Sequence, residues 1–226
     1  MAEGSVNLKS KWDEVFRKTK WARYPSEEMI RFVVRNFAHL EDRSQVRFLD
    51  LGCGIGTACW YLSREGYTAE GIDGSDTAIE TAKQWMASEG LPSQFQVSMM
   101  QNLPFPEQRF DCVIDNGSST STPLPVIRQI LEEVQRVMKP QALYYGMFLG
   151  SETTISGVTN PKSDDPAFYE EVTDGPLKRA ATVRLLREEE LRQLFSGFND
   201  VTIDYSLRTL GNREERVQYW HVVARK

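Results

Sequence analysis

The stretch Phe48-Leu49-Asp50-Leu51-Gly52-Cys53-Gly54-Ile55-Gly56-Thr57 passes from an apolar run of strand type into glycines at every second position. Such a backbone must turn sharply out of a buried strand, and a ligand can approach its N–H groups without meeting a Cβ. Asp50 adds a carboxylate at the strand end. The next apolar segment, Thr68-Ala69-Glu70-Gly71-Ile72-Asp73-Gly74-Ser75, again finishes on an acid. Asp73 follows the glycines at the interval at which a carboxylate reaches a ribose hydroxyl pair. Charge-assisted hydrogen bonds there are worth roughly 1.5–3 kcal/mol each. A second role is open to Asp73, capping the helix that starts near Ser75, although Ser75 is itself a good cap. The dinucleotide fingerprint G-x-G-x-x-G would put its last glycine at Thr57, so the spacing speaks against a nicotinamide cofactor.

Phe110-Asp111-Cys112-Val113-Ile114-Asp115 reads as a further strand. Asp115-Asn116-Gly117-Ser118 then falls at its tip beside the glycine turn, where ligands lie in open parallel sheets. Trp21-Ala22-Arg23-Tyr24-Pro25 is more aromatic and basic than a plain helix connection requires. Trp21 suits a staple between helices, and Tyr24 can offer a hydroxyl or ring electrons. Lys178, Arg179 and Arg184 bracket the end of a long polar segment. They form either an anion site for a phosphate, phosphonate or carboxylate, or a solvated basic face, the better reading for Arg184. A structural role suits both histidines, His39 and His221, which disfavours a histidine base. The three cysteines, Cys53, Cys59 and Cys112, show no C-x-x-C spacing, so neither a disulfide framework nor a metal site is expected.

These residues need an alternating scaffold. Leu8 to Lys20 reads as a charged helix, and Ser26 as the N-cap of a helix reaching about Ala38 with Ile30, Val33, Val34 and Phe37 in one stripe. Helices follow over Ala58 to Glu65, closed by Gly66, over Asp76 to Glu89, closed by Gly90, and over Pro125 to Met138, stopped by Lys139-Pro140. Gln94 to Val97 and Ala142 to Leu149 read as strands. Residues 150–179 are polar and rich in Gly, Pro, Thr and Asp, with Phe168 and Tyr169 as their main aromatic residues. A connection of that length acts as a lid or binding loop. Arg187 to Phe195 is a helix, and Val201 to Leu210 pairs with Arg216 to Ala224 across the Gly211-Asn212 turn.

At 226 residues the chain suits one α/β domain, 1–226, with a helical cap over about 1–40 and a lid-like insertion over about 150–179. The formal net charge of -5 gives no overall attraction to phosphate backbones, so a nucleic-acid partner is disfavoured. Met1 to Lys11 lack an apolar leader core and no run is long enough to span a bilayer, so no membrane partner is expected. A cytoplasmic location fits the unpaired cysteines.

Asp50-x-Gly52-x-Gly54-x-Gly56, Gly71-Ile72-Asp73, Phe110 to Asp115 and Glu132-Glu133-Val134-Gln135-Arg136-Val137-Met138-Lys139-Pro140 fall in one order. From Tyr24 onward that order resembles the class I S-adenosylmethionine-dependent methyltransferases, particularly small bacterial enzymes acting on small molecules. The resemblance implies a doubly wound α/β fold with a seven-stranded, mostly parallel, Rossmann-like sheet and an antiparallel C-terminal hairpin. It implies S-adenosyl-L-methionine as cofactor and S-adenosyl-L-homocysteine as product. It sets Gly52, Gly54 and Gly56 against the methionine part, Asp73 on the ribose, and Met99 and Met100 around the adenine, with Asp50, Cys53 and Gly74 as further cofactor-binding residues. Asp115 and Asn116 would lie near the donor's amino group or methyl, and Arg23 and Tyr24 near the cofactor carboxylate or the acceptor. The family commonly has an acid where Met99 stands, so adenine here would be held by backbone groups, apolar contact and Gln101.

The implied reaction is methyl transfer to an oxygen or nitrogen of a small molecule, anionic where Lys178 and Arg179 bind it. Tyr24 leads as the catalytic residue on the acceptor side, with Asp115 as the alternative. The nucleic-acid aminomethylation motif Asn-Pro-Pro-Tyr is absent after Asp115. Methylation of a protein, or cofactor binding without turnover, are the competing functions, and a monomer or homodimer fits either.

Overall fold

A computed structural model describes residues 3–21, 23–162, 165–178 and 180–226. Helix α1 (Glu3–Lys18) leads into α2 (Glu27–Phe37), whose N-cap Ser26 accepts the Met29 N–H as the sequence predicts. Strand β1 (Arg47–Leu51), helix α3 (Thr57–Arg64), strand β2 (Thr68–Asp73), helix α4 (Asp76–Glu89) and strand β3 (Gln94–Val97) then alternate. Strand β4 (Phe110–Asp115), helix α5 (Leu124–Val137) and strand β5 (Met138–Leu149) complete the parallel part. The expected stop at Lys139-Pro140 is not a loop: α5 passes straight into β5. Those residues lie in that strand beside Gln141, whose φ of 66° marks the local irregularity.

Residues 150–179, read from the sequence as an irregular connection, carry strands β6 (Ser156–Lys162) and β7 (Asp165–Asp174). With β8 (Thr182–Arg184) these form a separate antiparallel sheet in the order β6-β7-β8. Helix α6 (Glu188–Leu194) and the antiparallel strands β9 (Asn199–Leu210) and β10 (Glu215–Arg225) finish the chain.

The main sheet has seven strands in the order β3-β2-β1-β4-β5-β10-β9, parallel through β5, with β10 antiparallel to both neighbours. Its central strands β1, β2 and β4 are buried on both faces because apolar helix stripes cover each side. Ile127, Ile130, Val134 and Val137 of α5 and Leu191 of α6 cover one face. Met29 and Phe32 of α2, Leu62 of α3 and Ile79 and Trp85 of α4 cover the other. The strand order reverses between β1 and β4, so the C-terminal tips of β1, β2 and β4 open a crevice at the switch point. A smaller cluster of Leu149, Val172, Val183 and Val217 fixes the inserted sheet to the rim. No described helix is long and apolar enough to cross a membrane.

Candidate functional site

The crevice holds a cavity of about 710 Å³ that reaches from the glycine turn to α1, the start of α5 and β7. Its floor is shaped by Gly52, which sits at φ 67° and whose Cβ, if present, would lie 2.4 Å from the Ser118 Cβ. Ser118 uses that closeness to donate its hydroxyl to the Gly52 carbonyl at 2.7 Å, tying the β1 and β4 tips together. Gly56 serves differently. At φ 85° it opens α3, and an added Cβ would meet the Phe95 ring at 2.9 Å, so it makes room for core packing and does not line the cavity.

Asp73 is nine-tenths buried at the β2 tip, accepting the Gly54 N–H at 2.9 Å and the Ser75 N–H at 2.8 Å. Burial raises its carboxyl above the usual range, against the pull of those N–H groups. It therefore shapes the glycine turn and the start of α4 while keeping lone pairs on the cavity side. Asp50 is more unusual. Burial pushes its carboxyl up to about 7, reinforced by the charges of Asp73 and Asp115 and opposed by hydrogen bonds from Cys59. Its Oδ2 is buried without a partner. An orphaned carboxylate oxygen on a cavity wall is satisfied by a cationic or N–H-bearing ligand group. Met99 and Met100 lie over this half: their sulfurs are 3.2 Å from where a Cβ would stand on Gly74 and Gly52 respectively.

The other half is walled by α1. Asp13 of α1 accepts the Ser75 hydroxyl at 2.7 Å and the Thr77 N–H at 3.0 Å, so one helix caps the N-terminus of another. Burial opposes its ionisation, but those bonds and the Arg17 charge outweigh it and hold its carboxyl far below the usual range. Docked in this way, α1 presents Trp12 and Phe16 to the cavity. They pack with Trp21 at 6.3 and 5.3 Å between ring centres. Phe168 of β7 adds an aromatic wall. Lys11 reaches Glu170 of β7 at 2.9 Å across the mouth, and Lys9 reaches Asp76 at 2.9 Å.

Of the residues singled out from the sequence, Tyr24, Asp50, Gly52, Cys53, Gly54, Asp73, Gly74, Met99, Met100, Gln101 and Asn116 line this one cavity. Tyr24 is 76% exposed, its ring edge-on to Trp60 at 5.7 Å. Arg23 is not among the lining residues and stands over the Trp85 ring at 5.1 Å. Asp115 is fully buried behind the wall, accepting the Ser118 and Ser119 N–H groups at 2.8 and 3.2 Å and the Tyr144 hydroxyl at 3.3 Å. It shapes the 116–119 turn. Lys178 is exposed and off the cavity, and Arg179 lies outside the described residues.

Arg184, expected on a solvated face, is instead buried and clamped by Asp165 and Glu190. His39 is exposed after α2, and His221 lies within β10. Trp12, Phe16, Lys11 and Glu170 were not anticipated as wall residues. The aromatic i,i+4 pair Trp12/Phe16 beside Trp21 was the available signal.

A doubly wound sheet with a glycine turn at the β1 tip and an acid at the β2 tip is an arrangement suited to a nucleoside-bearing ligand, the methyl donor S-adenosylmethionine among them. Comparison with known proteins agrees. Residues 48–141 match the methyltransferase domain family. The 2-heptyl-1-hydroxyquinolin-4(1H)-one methyltransferase of Mycobacteroides abscessus is 30% identical over 121 residues, 53% of this chain and 51% of that protein. The chain spans about half the length, or less, of the first curated relatives it matches.

A protein solved in connection with conversion of a disulfide bond into a thioacetal group during echinomycin biosynthesis superposes with TM-score 0.73 at 23% identity, covering 97% of this chain and 92% of that one. The Burkholderia thailandensis 1,6-didemethyltoxoflavin-N1-methyltransferase, solved with its substrate and S-adenosylhomocysteine, superposes with TM-score 0.61 at 17% identity, covering 100% and 91%. The chain is accordingly similar to methyltransferases over residues 48–141 and shares the fold of the S-adenosylmethionine-dependent enzymes, a similarity that points to S-adenosyl-L-methionine as the molecule to fit to the site. The residues present fit that molecule: an orphaned carboxylate for its cationic end, an acid at the β2 tip and two thioethers over the floor.

Proposed function

We propose that the protein transfers the methyl group of S-adenosyl-L-methionine to an oxygen or nitrogen of a small, flat, uncharged aromatic acceptor. The observation that carries this is the continuity of the cavity. One space of about 710 Å³, within the usual range of small-ligand sites, runs from Asp50 and Asp73 to the Trp12, Phe16, Trp21 and Phe168 walls. Aromatic walls favour planar guests by stacking. Both described lysines on the lining, Lys9 and Lys11, are already paired with Asp76 and Glu170, which disfavours an anionic guest. The M. abscessus relative and the toxoflavin enzyme are both named for bicyclic heteroaromatic acceptors, in keeping with this reading.

In this reading Gly52, Cys53, Gly54 and Asp50 hold the methionine part, Asp73 and Gly74 the ribose, and Met99 and Met100 the adenine. Tyr24 and the α1 aromatics hold the acceptor. The bound cofactor supplies an activated sulfonium methyl, so the protein's work is alignment and exclusion of water. Helix α1 and the inserted sheet act as covers within one domain, joined over the mouth by Lys11 and Glu170. No described histidine lines the cavity, and an acceptor that is a free nitrogen or an acidic hydroxyl needs no strong base.

The test is calorimetry with S-adenosylhomocysteine, followed by labelled methyl transfer from S-adenosylmethionine to 2-heptyl-1-hydroxyquinolin-4(1H)-one and related bicyclic heteroaromatics. Trp12→Ala should raise acceptor KM about tenfold, as expected for loss of an aromatic stacking wall, while cofactor affinity stays within about threefold. No cofactor binding, or equal acceptor kinetics in the variant, would reject the reading.

A further inference from the structure

Strand β9 is an outer strand of the main sheet and pairs only with β10. Its backbone is irregular near Asp200, whose φ is 48°, but the register against β10 is unbroken from Thr202 to Leu210. Among the described residues, none of 202–210 makes a main-chain hydrogen bond outside that ladder. Edges that stay single are blunted by proline, lysine, bulges or brevity, because a long regular edge offers free N–H and C=O groups to another strand. Thr202-Ile203-Asp204-Tyr205-Ser206-Leu207-Arg208-Thr209-Leu210 contains neither proline nor lysine. Side chains alternate along a strand, so Ile203, Tyr205 and Leu207 share one face. Ile203 packs on the core and Tyr205 stands edge-on to Trp220 at 5.7 Å, yet Tyr205 and Leu207 remain 62% and 44% exposed. Asp204, Ser206 and Arg208 share the other face. Asp204 and Arg208 are exposed, and neither forms an ion pair among the described residues.

Symmetry restricts how a second copy of the chain joins this edge. Two identical strands pair antiparallel when a twofold axis stands perpendicular to the sheet, and residues then oppose one another about the residue on the axis. An axis through Asp204 or Arg208 sets like charges face to face. An axis through Tyr205 or Leu207 leaves both charges opposite uncharged residues. An axis through Ser206 places Asp204 opposite the partner's Arg208 and Tyr205 opposite the partner's Leu207, each contact occurring twice. Directly opposed residues in such a pair stand about 4.5–5.5 Å apart at Cβ, close enough for both contacts. Ser206 is small, and its hydroxyl lies 2.8 Å from the His221 Nε2 of its own chain, so the centre of the pairing carries no bulk.

We propose that the protein forms a homodimer in solution through antiparallel pairing of β9 with β9 of a second copy about Ser206. The main-chain ladder supplies the attraction, the two Asp204/Arg208 contacts fix the register, and Tyr205 with Leu207 gives the apolar cover. The two main sheets become one continuous sheet. No residue of β9 or β10 lines the cavity, so both sites stay open in the pair, and the proposal stands apart from the cofactor and acceptor readings.

Sedimentation equilibrium of the full chain should give twice the chain mass, falling toward the single mass on dilution. A wild type that stays monomeric at ~0.1 mM overturns the proposal. Asp204→Arg and Arg208→Asp each set like charges across both symmetric contacts, so each should raise the dimer dissociation constant at least ~10-fold. Mixing these two variants puts opposite charges back at both contacts. The mixture, and the double variant carrying both changes, should therefore dimerise within about threefold of wild type. Dimers that persist unweakened in both single variants, or that are lost in them and not recovered by mixing, overturn the pairing.

Hydrogen exchange on the wild type gives a second reading that needs no variant. Amides within 202–210 should exchange more slowly as the concentration rises through the dissociation constant, while those of β3, at the opposite edge of the sheet, should not change. Exchange along β9 that is independent of concentration, or slowing confined to another surface, overturns the proposal.

Discussion

Binding a cation beside Asp50 should expel a proton, and the structure allows the size of the effect to be worked out. In the free protein the Asp50 carboxyl sits at about 7 because it is buried near Asp73 and Asp115 with its Oδ2 unpartnered. A unit positive charge about 4 Å away is worth ~4 kcal/mol at an effective dielectric of ~20. At about 1.36 kcal/mol per unit, that shifts the carboxyl by ~3 units, to near 4 in the complex. The sign follows: the bound form prefers ionised Asp50, so affinity is complete above about pH 7 and is lost as the pH falls toward 4. Linkage between these values gives roughly tenfold weaker binding of S-adenosylmethionine at pH 6 than at pH 8, with about half a proton released at pH 7. Calorimetry in two buffers of different ionisation enthalpy counts that proton directly. Asp50→Asn should remove both the release and the slope. In the ligand-free protein a raised carboxyl opposes folding above its unfolded value, so Asp50→Asn should also melt higher than wild type at pH 8. Release below about a tenth of a proton at pH 7, or an unchanged slope in the variant, would refute the assignment of Asp50 to the cationic end.

Other outcomes follow from the same geometry. Asp13→Asn removes charge from the bonds to Ser75 and Thr77, each worth about 1.5–3 kcal/mol, so trypsin should cut α1 at Lys9, Lys11 or Arg17 at least ~10-fold faster. Because that carboxyl is depressed in the folded chain, its contribution holds above its unfolded value near ~4 and wild-type α1 should loosen as the pH drops below it. Arg184→Ala strands Asp165 and Glu190 beside a buried gap and should destabilise by about 3–5 kcal/mol in urea melts, a much larger loss than a solvated arginine would give. Lys178→Ala, by contrast, should leave acceptor KM and cofactor affinity within about twofold, since the side chain is exposed and off the cavity; a larger loss would restore the anion site.

Local chemistry explains which parts of the protein could be read from its sequence. The β1 and β2 tips were legible because their signals are short-range: alternating glycines, an acid at each strand end, and Ser75 capping α4 through the Ala78 N–H. The main sheet followed from alternation of strand and helix, and its antiparallel edge from a hairpin turn at Gly211-Asn212, both at positive φ. The inserted sheet was hidden because glycines and prolines punctuate its strands: Gly157 and Gly175 stand at φ 62° and 72°, and Pro161 lies inside β6. Such residues are tolerated in short strands away from a sheet's centre but erase the period-two pattern.

Arg184 departs from its expected solvated face for a related reason. Its burial depends on Asp165, 19 residues earlier, which no local window associates with it. The proposed acceptor wall is the extreme case. Asp13 caps a helix 62 residues downstream, and Lys11 pairs with Glu170 across 159 residues. Within α1 itself, Trp12 and Phe16 form only an amphipathic stripe, equally suited to core packing. What brings them to the cavity is the docking of α1 over a crevice that the sheet topology has already opened. The half proposed for the cofactor is therefore written in contiguous turns, whereas the half proposed for the acceptor forms only where the cap and the inserted sheet meet over the crevice. A sequence read without its fold will consequently reveal the methyl donor before it reveals the acceptor.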